Sequence, residues 1–164
     1  MTAGHDHAHD APVTAGEAIA PSERPQLTPR VLLVDAEQAS CDYVTRILAD
    51  RHEVTVAHDV RAAIEAARES SPALVLIDAT LAEGMAEASR GEPCMAGVPV
   101  IVLTTREDER SASSATEPLA DDYLAKPFDE GELLARMRVL LRARAQEREL
   151  ATLNRRLEAI RPAQ

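Results

Sequence analysis

Four side chains suited to ionic or nucleophilic chemistry stand at the ends of short apolar runs. Asp35 follows Val31–Val34, Asp78 follows Leu74–Ile77, Thr104 follows Val98–Leu103, and Lys126 follows Tyr123–Ala125. Two carboxylates brought about 4 Å apart at a partly exposed site repel by ~4 kcal/mol, so their convergence calls for a cation. An all-oxygen donor set suits Mg²⁺, which keeps waters and binds through one or two carboxylates plus a phosphate. Given a phosphoryl donor, Asp78 becomes a nucleophile that forms an acyl phosphate. Mg²⁺, the Lys126 ammonium and the Thr104 hydroxyl would then hold the three transferred oxygens. Lys126 is the only lysine among the 18 Lys and Arg residues. An ammonium kept where every other strong base is arginine marks the need for a compact point charge. Two plainer readings stand beside these: Asp78 as the N-cap of a following helix, and Lys126 as a solvated surface lysine, which a Lys-Pro step directly after a strand disfavours.

These four residues need a scaffold that brings strand ends together. Val31–Val34, announced by Pro29, reads as a first strand, and Ala39, Tyr43, Ile47 and Leu48 recur at helical spacing behind it. Val54 and Val56 alternate as a second strand, followed by a helix rich in small residues at Ala62, Ala63, Ile64, Ala66 and Ala67. Leu74–Ile77 is a continuous apolar run bounded by Ser71-Pro72 and the Glu83-Gly84 region, as expected of a strand buried on both faces of a parallel sheet. Gly84–Arg90 is a brief helical candidate, Val98–Leu103 a fourth strand and Tyr123–Ala125 a fifth. Strands alternating with helices imply right-handed crossovers and a doubly wound five-stranded parallel sheet, α/β in class. In such sheets the carboxyl ends of the strands face the ligand crevice, where Asp35, Asp78, Thr104 and Lys126 would meet.

Composition narrows the function classes. The chain carries a net charge of −10, yet residues 131–164 hold four acids against eight arginines. Clustered phosphate contacts need Lys and Arg, so the acidic globular part is a poor partner for nucleic acid. No apolar run approaches the ~20 residues of a membrane span, and the first thirty residues lack the apolar segment of a signal peptide. Cys41 and Cys94 match neither a metal-ligand spacing nor a disulfide framework, which points to reduced thiols in the cytoplasm. Residues 1–29 have no sustained apolar period and read as disordered. Their His5, His7 and His9, alternating with Asp6 and Asp10, could bind a transition metal weakly, although a segment without fixed geometry makes a poor site.

The stretches VLLVDAE, LVLIDAT, VPVIVLTT and DDYLAKPF, in that order, resemble the receiver domain of two-component response regulators over residues 30–143. The resemblance implies a flavodoxin-like receiver fold in which Asp78 accepts a phosphoryl group from a histidine kinase or phosphotransfer protein. It implies that Lys126 and Thr104 contact that group, that the Lys126–Pro127 peptide is cis, and that Tyr123 is the aromatic switch residue beside Thr104. It implies Mg²⁺ ligation by Asp35, Asp78 and the Thr80 backbone carbonyl. The family usually has a second acid after the first strand, where this chain has Ala36, and Glu37 is the next oxygen donor in line. The proline usual after the phosphoacceptor is missing, which predicts a stunted third helix. Ser111–Thr116 is small and polar where a packed fourth helix is expected, and Leu119 replaces a usual glycine.

From Asp129 a helical pattern runs to Arg161 and outreaches a domain of ~13 Å radius of gyration. Residues 144–164 thus form a helical extension in which Leu150, Leu153, Leu157 and Ile160 repeat at three and four, either the apolar edge of a solvated helix or, the reading preferred, the seam of a coiled coil and of a homodimer through residues 144–161. No output or DNA-binding domain follows before Gln164. The expectation is a non-enzymatic phosphoacceptor switch; the alternative is a pseudo-receiver, weakened in Mg²⁺ binding by Ala36, that acts as a constitutive dimerising module.

Overall fold

The first strand, β1 (Arg30–Val34), lies at the centre of the molecule because its side chains are apolar on both faces. Val31 and Leu33 point to one side, Leu32 and Val34 to the other, and all four are buried. The same holds for β3 (Leu74–Asp78) and β4 (Val100–Thr105), whereas β2 (Glu53–Ala57) and β5 (Asp122–Lys126) are more polar and form the edges. In this computed structural model, which describes residues 28–108 and 119–160, the strands are parallel in the order β2-β1-β3-β4-β5. The sheet is the doubly wound flavodoxin-like arrangement expected from the sequence.

Helices cover both faces. On one side, α1 (Gln38–Leu48) buries Cys41, Val44 and Leu48 at helical spacing, and the first turns of α4 (Glu130–Ile160) bury Leu133, Leu134 and Met137. On the other, α2 (Val60–Ser70) contributes Ala63, Ile64 and Ala67, and α3 (Ala79–Ala88) contributes Ala82 and Met85. Asp59 caps α2 by accepting from the Ala62 amide at 2.8 Å.

The third helix corrects the sequence reading. It starts at Ala79, directly behind β3, and spans 10 residues, one fewer than α2, so it is neither confined to Gly84–Arg90 nor stunted. Gly84 is an interior residue: a Cβ there would lie 3.3 Å from Val60 Cγ2, so the glycine lets α3 approach α2. The fourth strand begins two residues later than expected. Gly97, at φ +65°, and Pro99 keep Val98 in the preceding turn, and pairing with β5 extends the strand to Thr105. The His5–Asp10 tract, residues 1–27 of the segment expected to be disordered and Ser111–Thr116 lie outside the described residues. Leu119 packs at the edge of the α2/α3 core.

Helix α4 runs 31 residues, about 46 Å at 1.5 Å per residue. Its amino end is capped by Asp129, whose Oδ1 accepts from the Glu132 amide at 2.7 Å. Its distal half leaves the domain: Leu150, Leu153, Leu157 and Ile160 are 60%, 46%, 64% and 75% exposed.

Candidate functional site

Asp35 follows the last residue of β1 and is fixed by its backbone as well as its side chain. Its amide donates to the Ala57 carbonyl at 3.1 Å, and its own carbonyl accepts from Cys41 Sγ at 3.4 Å and His58 Nδ1 at 2.9 Å. Asp78 ends β3, one strand over. Lys126 ends β5 and reaches back across the carboxyl edge of the sheet. Its Nζ lies 3.1 Å from Asp35 Oδ2 and 2.8 Å from Asp78 Oδ1, bridging the two acids. The Asp35 side chain is only 4% exposed, that of Asp78 18% and that of Lys126 25%.

This triad sets the electrostatics. Burial pushes the Asp78 carboxyl up, but the Lys126 ammonium and the Thr80 donors outweigh it and hold the group below its ordinary value. Burial pushes Lys126 down, and its bonds to Asp78 and Asp35 more than reverse that. The pair is therefore ionised at neutral pH, with a carboxylate at the rim of the crevice available as a nucleophile.

Other expected residues take different places. Thr104 is buried at the end of β4 and donates to the Thr105 carbonyl at 3.1 Å. Tyr123 lies in β5 opposite Val102 and packs against the α2/α3 core. The Lys126–Pro127 peptide is cis. Thr80 departs from the carbonyl-ligand expectation. It sits in the first turn of α3, where helical carbonyls point along the axis toward the C-terminus. What Thr80 offers the site is donors: its amide and hydroxyl lie 3.0 and 2.5 Å from Asp78 Oδ2. Asp78 thus also caps α3, so the plainer sequence reading of this residue holds together with the ionic one. Glu37 is exposed at the N-cap of α1, where its amide, not its carboxylate, meets Asp35 Oδ1 at 2.9 Å.

Two participants escaped the sequence reading. Ser40, in the first turn of α1, donates to Asp35 Oδ2 at 2.6 Å and accepts from Lys126 Nζ at 3.3 Å. Its only signal is its position five residues after Asp35, at the end of α1 that faces the site. Arg136 of α4 holds Asp122 with two bonds of 3.0 Å, tying the long helix to the residue before Tyr123.

The family model described as response regulator receiver domain matches residues 31–138. The chain belongs to the response regulator receiver family. Among curated relatives, the KDP operon transcriptional regulatory protein KdpE of Escherichia coli is 39% identical over 114 residues, covering 68% of this chain and 51% of that protein. The DNA-binding response regulator MtrA of Mycolicibacterium smegmatis is 36% identical over 121 residues, covering 72% and 53%. The chain therefore spans about half the length of these relatives. Among solved structures, this receiver domain is similar to NtrX from Brucella abortus, solved in complex with ADP, with TM-score 0.73 and 27% identity over 80% of this chain and 30% of that one. It shares the fold of the chemotaxis response regulator CheY4 of Vibrio cholerae, with TM-score 0.62 and 24% identity over 69% and 98%.

Receiver domains bind Mg²⁺ in the acidic pocket at the strand ends. The donor chemistry here fits that ion. Asp35 and Asp78 already close on one cation, the Lys126 ammonium, which stands in for a metal between them. Among the described residues no cluster of three or more His, Cys, Asp or Glu is placed to hold a metal, so the receiver offers two carboxylates, and Ala36 adds no oxygen. Two carboxylates with water and phosphate filling the remaining positions satisfy Mg²⁺.

Proposed function

We propose that this receiver domain is a phosphoacceptor switch, phosphorylated on Asp78 by a histidine kinase or phosphotransfer protein in the cytoplasm. The observation that carries the reading is Lys126 Nζ lying within hydrogen-bond reach of both Asp78 and Asp35. A carboxylate oxygen of Asp78 attacks the phosphorus of the donor's phosphohistidine. The O–P bond forms as the P–N bond breaks, and the electron pair goes to the imidazole nitrogen. Asp35 and Asp78 would hold Mg²⁺, which when bound would supply positive charge to the transferred oxygens. The Lys126 ammonium, beside Asp78 Oδ1, gives the same help. Thr104, one strand away, is the hydroxyl for the new phosphoryl group. Its inward movement, with that of Tyr123, alters the face formed by β5 and α4 and shifts a pre-existing equilibrium between two states. The domain itself is a switch and not an enzyme acting on a separate substrate.

Intact mass after incubation with a small-molecule phosphodonor tests the reading. The expected result is a Mg²⁺-dependent gain of one phosphoryl group, absent in Asp78→Asn and faster in Ala36→Asp. The absence of a gain in the wild type and in Ala36→Asp alike would overturn it.

A second reading is favoured by the exposed seam Leu150, Leu153, Leu157 and Ile160. In it the domain dimerises through residues 144–161 and binds partners constitutively, as a pseudo-receiver whose metal site Ala36 has weakened. Recovery of phosphorylation only in Ala36→Asp would select this reading.

A further inference from the structure

Every carboxylate oxygen in the pocket already has a donor from within the chain. Asp35 Oδ1 takes the Glu37 amide, and Asp35 Oδ2 takes Ser40 Oγ and Lys126 Nζ. Asp78 Oδ1 takes Lys126 Nζ, and Asp78 Oδ2 takes the amide and hydroxyl of Thr80. Each carboxylate oxygen accepts two bonds, so the two Oδ2 atoms are filled while each Oδ1 keeps one position open, and of the two filled oxygens only Asp35 Oδ2 shares Lys126 with Asp78. Most of these donors are backbone amides or Lys126 itself. Ser40 differs, since its hydroxyl meets the Asp35 carboxylate and the Lys126 ammonium at once.

A hydroxyl has one proton and two acceptor lone pairs. Ser40 uses the proton on Asp35 Oδ2, at 2.6 Å, and a lone pair on Lys126 Nζ, at 3.3 Å. The bond to Asp35 is short, as bonds to ionised acceptors are, and such bonds are about twice as strong as neutral ones. The Asp35 side chain that accepts it is only 4% exposed, so solvent competes for that oxygen poorly. With Ala36 bearing no oxygen, an ion shared by the two acids depends on Asp35, and the Asp35 oxygen joined through Lys126 to Asp78 is the one this brace occupies.

We propose that Ser40 is a positioning residue that sets the divalent-cation demand of the pocket: its hydroxyl holds Asp35 Oδ2 against the Lys126 ammonium and so competes with Mg²⁺ for that carboxylate. The proposal rests on the reading of Asp35 and Asp78 as the Mg²⁺ site of a phosphoacceptor. Its direction is opposite to that of an ordinary supporting residue. Removing a residue that merely shores up the site loosens the metal, whereas removing Ser40 tightens it.

The test is a direct Mg²⁺ titration of the full chain with no phosphodonor present, followed by the amide resonances of Ala36, Glu37 and Thr80. Ser40→Ala is expected to bind Mg²⁺ about tenfold more tightly than the wild type, the order of one lost hydrogen bond to a charged group. Ser40→Thr, which keeps the hydroxyl, restores the wild-type midpoint. Ser40→Cys, close in size with a weaker donor, falls between, and serves if the alanine variant does not fold. An unchanged or weakened Mg²⁺ midpoint in Ser40→Ala or Ser40→Cys, Ser40→Thr behaving as alanine, or no Mg²⁺ binding in any variant would each overturn the proposal. Failure of the phosphoacceptor reading appears elsewhere, as the absence of a mass gain in both wild type and Ala36→Asp, and leaves the order of these midpoints untouched.

Discussion

Lys126 compensates two acids at once, and its removal reads out the electrostatics of the site. In Lys126→Ala the Asp78 carboxyl keeps its burial and its Thr80 bonds but loses the ammonium, so its pKa rises relative to wild type, as carbon-detected titration of that carboxyl would show. The variant is expected to lose about 1–3 kcal/mol at neutral pH, because two partly buried carboxylates remain without their counter-ion. The pH dependence has a definite sign. Asp78 is lowered from 3.8, so its contribution is present above that value and is lost as pH falls through the folded pKa. Lys126 is raised from 10.5, so its contribution is present below that value and is lost as pH climbs through the folded pKa. Urea denaturation of wild type and Lys126→Ala should accordingly converge below pH 3.8 and above pH 10.5. At this scale the sequence revealed the charges that meet, because each ends an apolar run. It hid Ser40 and the donors of Thr80, because hydroxyls are common in helix first turns and only the packing shows which ones face a carboxylate.

Secondary-structure elements were legible wherever the apolar period changed cleanly, as it does from β1 to α1. The start of α3 was not, because the apolar strand LVLI runs through Asp78 into Ala79–Ala82 without a turn residue. Gly84 then read as a breaker, when its actual use is the close approach to Val60. Val60 opens α2, next to the Asp59 cap. Asp59→Ala, which removes the side-chain acceptor for the Ala62 amide, should cost about 1 kcal/mol, seen as a lower urea midpoint at unchanged slope. The same cap in α3 is Asp78 itself, so one carboxylate joins the acidic pocket to the helix that follows it.

The whole molecule divides between a domain that satisfies itself and a helix that does not. The sheet is covered on both faces, while α4 carries its apolar seam beyond the domain. The three-and-four spacing of Leu150, Leu153, Leu157 and Ile160 was readable in the sequence, and the structure adds that all four are exposed. Under the proposed dimerisation through residues 144–161, Leu153→Asp with Leu157→Asp should yield a monomer in sedimentation velocity without lowering the unfolding midpoint of the domain, because neither side chain is part of the core. The scarcity of aromatic residues has an optical consequence. The chain has no Trp and two Tyr, and they lie on opposite sides of the sheet. Tyr43 packs on Phe128 at 5.9 Å and donates to its carbonyl, whereas Tyr123 belongs to the α2/α3 side. Near-ultraviolet emission from the unlabelled protein therefore comes from two phenols only. Replacing Tyr43 by phenylalanine leaves a single fluorophore on the fifth strand, through which movement of the switch can be watched without attaching a dye.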